Sequence, residues 1–252
     1  MLSNSTSTML KKLTQKKYRK EFGVFTVEGK KGVEEALEHA EVELLIVEES
    51  AIDADMGVII SYAEKTGIPV ERANKRDVDA IKQTETFPGV MAVVAMPDAS
   101  LDNMIHEEHI ILLDRVNDPG NLGTIIRTAD WFGVHAVIVS EGSVDPYNEK
   151  VVRSTMGSIF RTKIYQSEYM VDTVEFLRKN GYSIATLDLS GKDISQLRKG
   201  RKQALLFGSE SHGLADNLRE ITDASYTIAG TGNAESLNLA MSVGITLYQL
   251  NS

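Results

Sequence analysis

The chain contains no cysteine. That absence excludes disulfides, thiolate metal sites, iron–sulfur clusters and any covalent mechanism built on a cysteine nucleophile. Long hydrophobic runs are missing too: the longest, Val90 to Met96, is far too short to span a bilayer. No early segment joins a basic start, an apolar run and a cleavage site, so a cytoplasmic protein without membrane association is expected. A phosphate-cradling loop ending in Gly-Lys-Ser/Thr is absent. His106 and His109 have the spacing of metal ligands, but no third candidate lies nearby, and no metal is expected.

What is present suits a globular protein. With 252 residues and 42% hydrophobic content the chain can bury a substantial core, as one large domain or two small ones. The net charge of −9 is unevenly spread. Up to Lys31 there are eight basic residues, Lys11, Lys12, Lys16, Lys17, Arg19, Lys20, Lys30 and Lys31, against only Glu21 and Glu28. A basic arm on an acidic body reads either as a localised footprint for a polyanion or as a solvated lysine-rich helix face.

Residues 1–8, rich in Ser, Thr and Asn, are expected to fray, with a short basic helix over Met9 to Lys20 and a strand-like unit within Glu21 to Gly29. Helices near 31–39, 56–65 and 76–82 then alternate with strands at 44–47, 69–70 and 90–96, making a small α/β unit. Periodicity is lost between Pro97 and Glu108, which predicts a boundary between domains at 1–97 and 105–252. Strands at 110–113, 136–139, 183–187 and 204–207 follow, alternating with helices at 122–132, 150–156 and 170–179. These strands are apolar on both faces, as in a parallel sheet covered by helices.

Near the C-terminus the strand Ala204 to Phe207 runs into Gly208-Ser209-Glu210-Ser211-His212-Gly213-Leu214, and Tyr226-Thr227-Ile228 breaks into Ala229-Gly230-Thr231-Gly232-Asn233. A hydrolase elbow would need glycine where Ser209 stands in Ser209-Glu210-Ser211-His212-Gly213, and a dinucleotide loop would need glycine where Glu235 stands. Two glycine-containing loops at strand ends can form a ligand crevice, or can be ordinary turns. From Ser236 onward a helix without charge is predicted, its polar strip being Asn238, Ser242, Thr246 and Gln249, so that one apolar face covers the sheet and the other needs a partner. After the strand 110–113, a Pro-Gly turn delivers Asn121 to a helix start. At 100° per residue Leu122, Ile125, Ile126, Ala129 and Phe132 form one buried stripe, and Arg127 points the opposite way beside Thr124 and Trp131. An exposed arginine two turns from an asparagine-bearing loop is a candidate phosphate ligand.

Three blocks in order, Asp118 to Ala129, Leu206 to Leu214 and Glu235 to Ala240, resemble the SpoU/TrmH family of RNA ribose 2'-O-methyltransferases, in the SPOUT superfamily. The block Asn148 to Gly157 is similar as well, and Tyr18-Arg19-Lys20 with Phe25 to Gly29 resembles the RNA substrate-binding domain often fused to such enzymes, a fold related to small ribosomal proteins. The resemblance implies an α/β fold whose C-terminal parallel sheet is threaded into a trefoil knot, a homodimer, and S-adenosylmethionine as cofactor. It implies cofactor contacts at Gly208, Ile228 and Leu237, with Thr186 nearby, and functional polar groups at Asn121, Arg127, Glu210, Ser236 and Asn238. Lys16, Lys17, Arg19, Lys150 and Arg153 become candidate RNA ligands, with ribosomal RNA favoured over transfer RNA. Ala229-Gly230 and Thr155 depart from the family's usual residues.

A sulfonium already carries an activated methyl group, so alignment of the ribose oxygen and removal of its proton are what remains. Arg127 cannot be the base, because a guanidinium is essentially never deprotonated in a protein. Its expected work is to bind the adjacent phosphate and stabilise developing alkoxide charge, with that phosphate or Glu210 taking the proton. The alternatives are a non-catalytic RNA-binding protein and a relative that methylates a base.

Overall fold

The computed structural model describes residues 2–198, 202–209 and 213–251. The chain divides into two compact units, Met1–Pro97 with Tyr147–Phe160, and Asp98–Pro146 with Arg161–Ser252.

The first unit opens with two helices in place of the single one expected. Helix α1, Asn4–Lys12, begins well inside the stretch expected to fray. Ser3 caps it, its hydroxyl accepting from the Thr6 amide at 3.0 Å, and the Thr6 hydroxyl donates to Glu71 Oε1 at 2.7 Å. Leu10 and Leu13 are buried, which brings the end of α1 down onto the core. Helix α2, Lys16–Phe22, ends on Gly23 at φ +68°, a left-handed cap that glycine adopts without strain. Strand β1 (Val24–Glu28), helix α3 (Lys30–His39), strand β2 (Val42–Glu48), helix α4 (Ala54–Thr66), strand β3 (Val70–Ala73), helix α5 (Lys75–Ile81) and strand β4 (Val90–Ala95) complete the alternation. The sheet order is β1-β4-β2-β3, antiparallel except for the β2/β3 pair. Caps fix the helix starts: the Asp53 carboxylate accepts from the Met56 amide at 2.9 Å, and Asn74 with Asp77 forms a reciprocal box at the start of α5.

Sequence order alone places Tyr147–Phe160 in the second domain, yet the segment packs with the first unit. Aromatic contact explains this: the Phe25 ring lies 4.9 Å from that of Tyr147 and 6.3 Å from that of Phe160, centroid to centroid.

The second unit is a six-stranded sheet in the order β10-β8-β9-β5-β6-β7, with every pair parallel. Its elements are β5 (His109–Leu113), α6 (Pro119–Trp131) and β6 (Ala136–Ser140), then, after α7 (Glu149–Thr155) of the first unit, β7 (Lys163–Ser167), α8 (Met170–Lys179), β8 (Ser183–Asp193), β9 (Gln203–Phe207), α9 (Asp216–Arg219), β10 (Ala224–Thr227) and α10 (Leu239–Leu250). Strand β7 and helix α9 are additions to the expected elements. β7 lies at the edge of the sheet and alternates polar with apolar residues, and α9 has only four residues.

Strand β8 is longer than expected because it meets β10 twice. Ala224 and Ser225 pair with Ala185 and Thr186, whereas Tyr226 and Thr227 pair with Lys192 and Asp193. The register jump leaves residues 187–191 as an excursion out of the sheet. Gly191 closes it against β10, where an added Cβ would lie 2.5 Å from the Tyr226 carbonyl carbon. Only glycine allows so close a crossing of two backbones.

Helix α6 follows the predicted stripe: Leu122, Ile125, Ile126 and Ala129 are fully buried, and Arg127 is exposed. Each such leucine or isoleucine contributes about 1.5–3 kcal/mol of burial. Helix α10, which packs on α6, begins at Leu239, so Ser236 and Leu237 are outside it and Asn238 is its cap. The predicted polar strip along α10 also fails at Thr246, which is fully buried with its hydroxyl donating to the Ser242 carbonyl at 2.7 Å.

Candidate active site

In the second unit, the C-terminal ends of β8, β9 and β10 surround a cavity of about 420 Å³. Gly208, Ser209 and Gly213 form one wall, Ile228, Ser236 and Leu237 another, and the β8 excursion adds Leu187, Asp188 and Leu189. The first wall is a tight reversal, with the Ser209 amide donating to the Gly213 carbonyl at 3.1 Å and the Gly213 amide to the Ser209 carbonyl at 2.9 Å. Gly208 sits against its returning limb: a Cβ there would lie 2.2 Å from Gly213 C and Leu214 N. Gly230 and Gly232, by contrast, are exposed and outside the lining, and an added Cβ at either meets nothing within 4 Å. The second glycine-containing loop thus reaches the cavity through its flanks rather than its glycines.

Asn121 and Asn238 meet at the start of α6 and of α10. The Asp118 carboxylate caps α6 by accepting from the Asn121 amide at 2.7 Å. Asn238 Oδ1 accepts from the amides of Ala240 at 2.9 Å and Met241 at 3.3 Å, and its Nδ2 donates to Asn121 Oδ1 at 3.0 Å. One side chain therefore caps a helix and orients a second polar group. Arg127 stands on the exposed face of α6 beyond the cavity lining. Glu210 lies outside the described residues.

Thr186 takes a different part from the one expected. It is 2% exposed, and its hydroxyl donates to the Leu206 carbonyl at 2.9 Å, pinning β8 to β9. The residues just after it reach the cavity instead. Asp188, absent from the sequence reading, carries a carboxylate held below its usual range of 3.8, first by the Ser190 amide, then by the Ser190 hydroxyl, with further help from Arg219. Those contacts are 3.0, 2.8 and 2.9 Å. An acidic residue at a strand's C-terminal end was the available signal. A fixed carboxylate beside a guanidinium suits a ligand bearing hydroxyls and charges of both signs.

A buried network braces β5 behind these loops. Asp114, 4% exposed, accepts from Arg115 Nε at 3.2 Å and from the Ser140 hydroxyl at 3.2 Å. Arg115 is held at φ +54°, its amide donating to the Ser140 hydroxyl at 2.8 Å.

The candidate RNA ligands of the first unit divide. Lys16, Lys17, Lys150 and Arg153 are exposed, with Arg153 Nη1 3.1 Å from Glu149 Oε2. Arg19 is buried at 4% exposure and its Nη1 donates to the Leu13 carbonyl at 2.7 Å, so it fastens the turn between α1 and α2 and is withdrawn from the surface. Thr155 is likewise buried, its hydroxyl donating to the Val152 carbonyl at 2.7 Å. Among the described residues no group of three His, Cys, Asp or Glu side chains could hold a metal ion, and no helix is long and apolar enough to cross a membrane.

A parallel sheet with a glycine-walled cavity at its strand ends is a general ligand-binding arrangement of α/β proteins, and comparison with known proteins makes the class specific. The SpoU rRNA methylase family matches residues 108–248, and the substrate-binding family of RNA 2'-O ribose methyltransferases matches residues 26–100. The chain belongs to the SpoU rRNA methylase family. It is 34% identical over 243 residues to the 23S rRNA (guanosine(2553)-2'-O)-methyltransferase RlmP of Bacillus subtilis, covering 95% of this chain and 93% of that protein. Among solved structures, the AdoMet-bound rRNA methyltransferase of Sinorhizobium meliloti superposes with a TM-score of 0.87 at 31% identity, covering 99% of this chain and 95% of the other. The AdoMet complex of the SpoU methyltransferase AviRb from Streptomyces viridochromogenes gives 0.85 at 28% identity, covering 99% and 97%.

Proposed function

We propose that this chain transfers a methyl group from S-adenosylmethionine to a ribose 2'-hydroxyl of RNA, with ribosomal RNA as its substrate. The observation that carries the reading is the convergence of Gly208, Ile228, Ser236 and Leu237 on one cavity in a chain similar along nearly its whole length to a ribose 2'-O-methyltransferase. The cavity's size is within the range of small-molecule sites, and the absence of a side chain at Gly208 lets the returning limb at Gly213 and Leu214 close its wall. S-adenosylmethionine bound there supplies an activated methyl group.

The chain's own residues do the rest. Gly208, Ile228 and Leu237 hold the cofactor through their backbone, with Asp188 and Arg219 meeting its polar ends. Arg127 binds the phosphate next to the target ribose and stabilises charge developing on the 2'-oxygen, while the proton leaves to that phosphate. Asn121, held by Asn238, orients the nucleotide, and Ser236 borders the reacting centre. Residues 1–97 with 147–160 hold the RNA and the second unit carries the catalysis, as a cytoplasmic homodimer formed through α6 and α10. A C-terminal segment threaded as a trefoil knot belongs to the same reading, on the chain's likeness to the SpoU family.

The test is the product. A 2'-O-methyl group blocks attack of that oxygen on the neighbouring phosphate, so alkaline hydrolysis of labelled product RNA leaves the label in an alkali-resistant dinucleotide. Label in ordinary mononucleotides would mean a base was methylated and would overturn the reading. Arg127→Ala is expected to abolish transfer with cofactor affinity unchanged, because its side chain lies outside both the core stripe and the cavity. A chain that binds RNA but not S-adenosylmethionine would be the non-catalytic alternative.

A further inference from the structure

The helical hairpin α1–α2 precedes the substrate-binding match, which begins at residue 26. It carries an aromatic pair: the rings of Tyr18 and Phe22 are stacked, with centroids 6.1 Å apart and planes at 22°. Phe22 is 39% exposed and Tyr18 is partly exposed. Lys12 Nζ and Lys17 Nζ stand 5.2 and 5.6 Å from the Tyr18 ring centroid. Lys11, Lys16 and Lys20 are exposed along the same hairpin, where the only carboxylate is Glu21. Arg19 adds no charge to that surface, since it is the internal brace of the turn.

The geometry points to the Tyr18–Phe22 pair, framed by Lys12, Lys16 and Lys17, as a stacking platform for an unpaired base of single-stranded RNA. The inference rests on the reading of this chain as an RNA enzyme and names the form of RNA its first helices grip. Lysines alone would hold any phosphate backbone, single or double stranded. A partly exposed aromatic pair among them adds something a duplex cannot use, because its bases are already stacked on one another. Lysine contacts with an exposed ring are weaker than stacking of a base on it, so an incoming base displaces the two ammonium groups from Tyr18 and leaves them for the flanking phosphates. The platform is stiff enough to act as a preformed surface. Leu10 and Leu13 anchor α1 in the core, Arg19 closes the turn, and Gly23 ends α2.

The test measures binding of the full chain to three probes at fixed salt: a short unstructured RNA, an RNA duplex of the same length, and inorganic polyphosphate. Wild type is expected to prefer the single strand over the duplex. Tyr18→Ala and Phe22→Ala should each lose roughly tenfold in affinity for the single strand with little change for polyphosphate, while Tyr18→Phe keeps wild-type affinity. Lys16→Ala with Lys17→Ala should weaken all three probes and lower the salt slope by about 0.7 per lost phosphate contact on the single strand. Phe22, at the exposed end of α2, keeps the test open should Tyr18→Ala fail to fold. Unchanged single-strand affinity in Tyr18→Ala and Phe22→Ala, an equal loss on polyphosphate, or an acidic peptide that competes as well as the single strand would each overturn the platform. In those cases continued methylation of RNA leaves the proposed activity standing. A wild-type chain that binds no RNA would overturn both.

Discussion

Gly208 offers the sharpest perturbation of the cavity proposed to hold the cofactor. Alanine there places a Cβ 2.2 Å from Gly213 C and Leu214 N, against an ordinary contact of at least 3.4 Å. Both obstacles are backbone, so no side chain can swing aside, and the β9 end and its returning limb must part by about 1.2 Å. Overpacking of this kind costs about 1–3 kcal/mol, which for a chain of this size lowers Tm by roughly 2–4 °C per kcal/mol. A displacement near 1 Å in a positioning element can cost about a hundredfold in rate. Gly208→Ala is therefore expected to melt several degrees lower, to bind S-adenosylmethionine at least ten times more weakly, and to lose most turnover. Thermal melting, titration calorimetry and a methyl-transfer assay on one preparation measure the three effects. Gly230→Ala and Gly232→Ala are the controls, because an added Cβ there meets open space and neither glycine needs a positive φ. They should bind cofactor as wild type does and gain up to about 1 kcal/mol from the less flexible unfolded chain. Wild-type affinity in Gly208→Ala, or an equal loss in the two controls, would refute the argument.

The sequence makes the second sheet legible because Ile110 to Leu113, Ala136 to Val139 and Ala204 to Phe207 are apolar on both faces, as the strands of a doubly covered parallel sheet are. The exposure of Arg127 follows from helical periodicity alone, and so does the buried stripe opposite it. The β8 excursion is of another kind. It arises because β10 pairs with two stretches of β8 that are not contiguous, and pairing register between distant segments leaves no local trace. Asp188 and Leu189 reach the cavity only through that jump, and Thr186, two residues before Asp188, is drawn into the sheet instead. Arg19 escapes a reading of sequence for a related reason. In a run of lysines and arginines every side chain looks like surface charge, and only the packing of Leu13 brings a backbone carbonyl to the one guanidinium that turns inward. Thr246 shows the same limit, since a threonine whose hydroxyl bonds back to the preceding turn can be buried without leaving a polar group unsatisfied.

Asn238 separates two roles by substitution. An aspartate in its place would still cap α10, because aspartate caps as well as asparagine, but it has no side-chain N–H to offer Asn121. Asn238→Asp should keep its melting temperature while losing methyl transfer, whereas Asn238→Ala should lose both, at about 1 kcal/mol for the cap; full turnover in Asn238→Asp would refute the orienting role. The final prediction concerns assembly. Trp131 is 83% exposed on α6, and Met241 and Tyr248, 59% and 66% exposed, lie seven residues apart on α10, which packs beside it. Two large exposed apolar groups on one helix and a tryptophan on the helix it packs against are surface of the kind that marks an interface. Arg127 lies four residues before Trp131, one helical turn away on the same exposed side of α6, so a second copy covering the tryptophan would also border this arginine, the proposed phosphate ligand. Trp131→Glu with Met241→Glu places two charges in that face without touching the cavity lining. The variant is expected to run as a monomer by light scattering, to retain S-adenosylmethionine binding, and to lose methyl transfer through Arg127. A double variant that stays dimeric, or a monomer with full turnover, would show that this face neither joins the two copies nor completes the site.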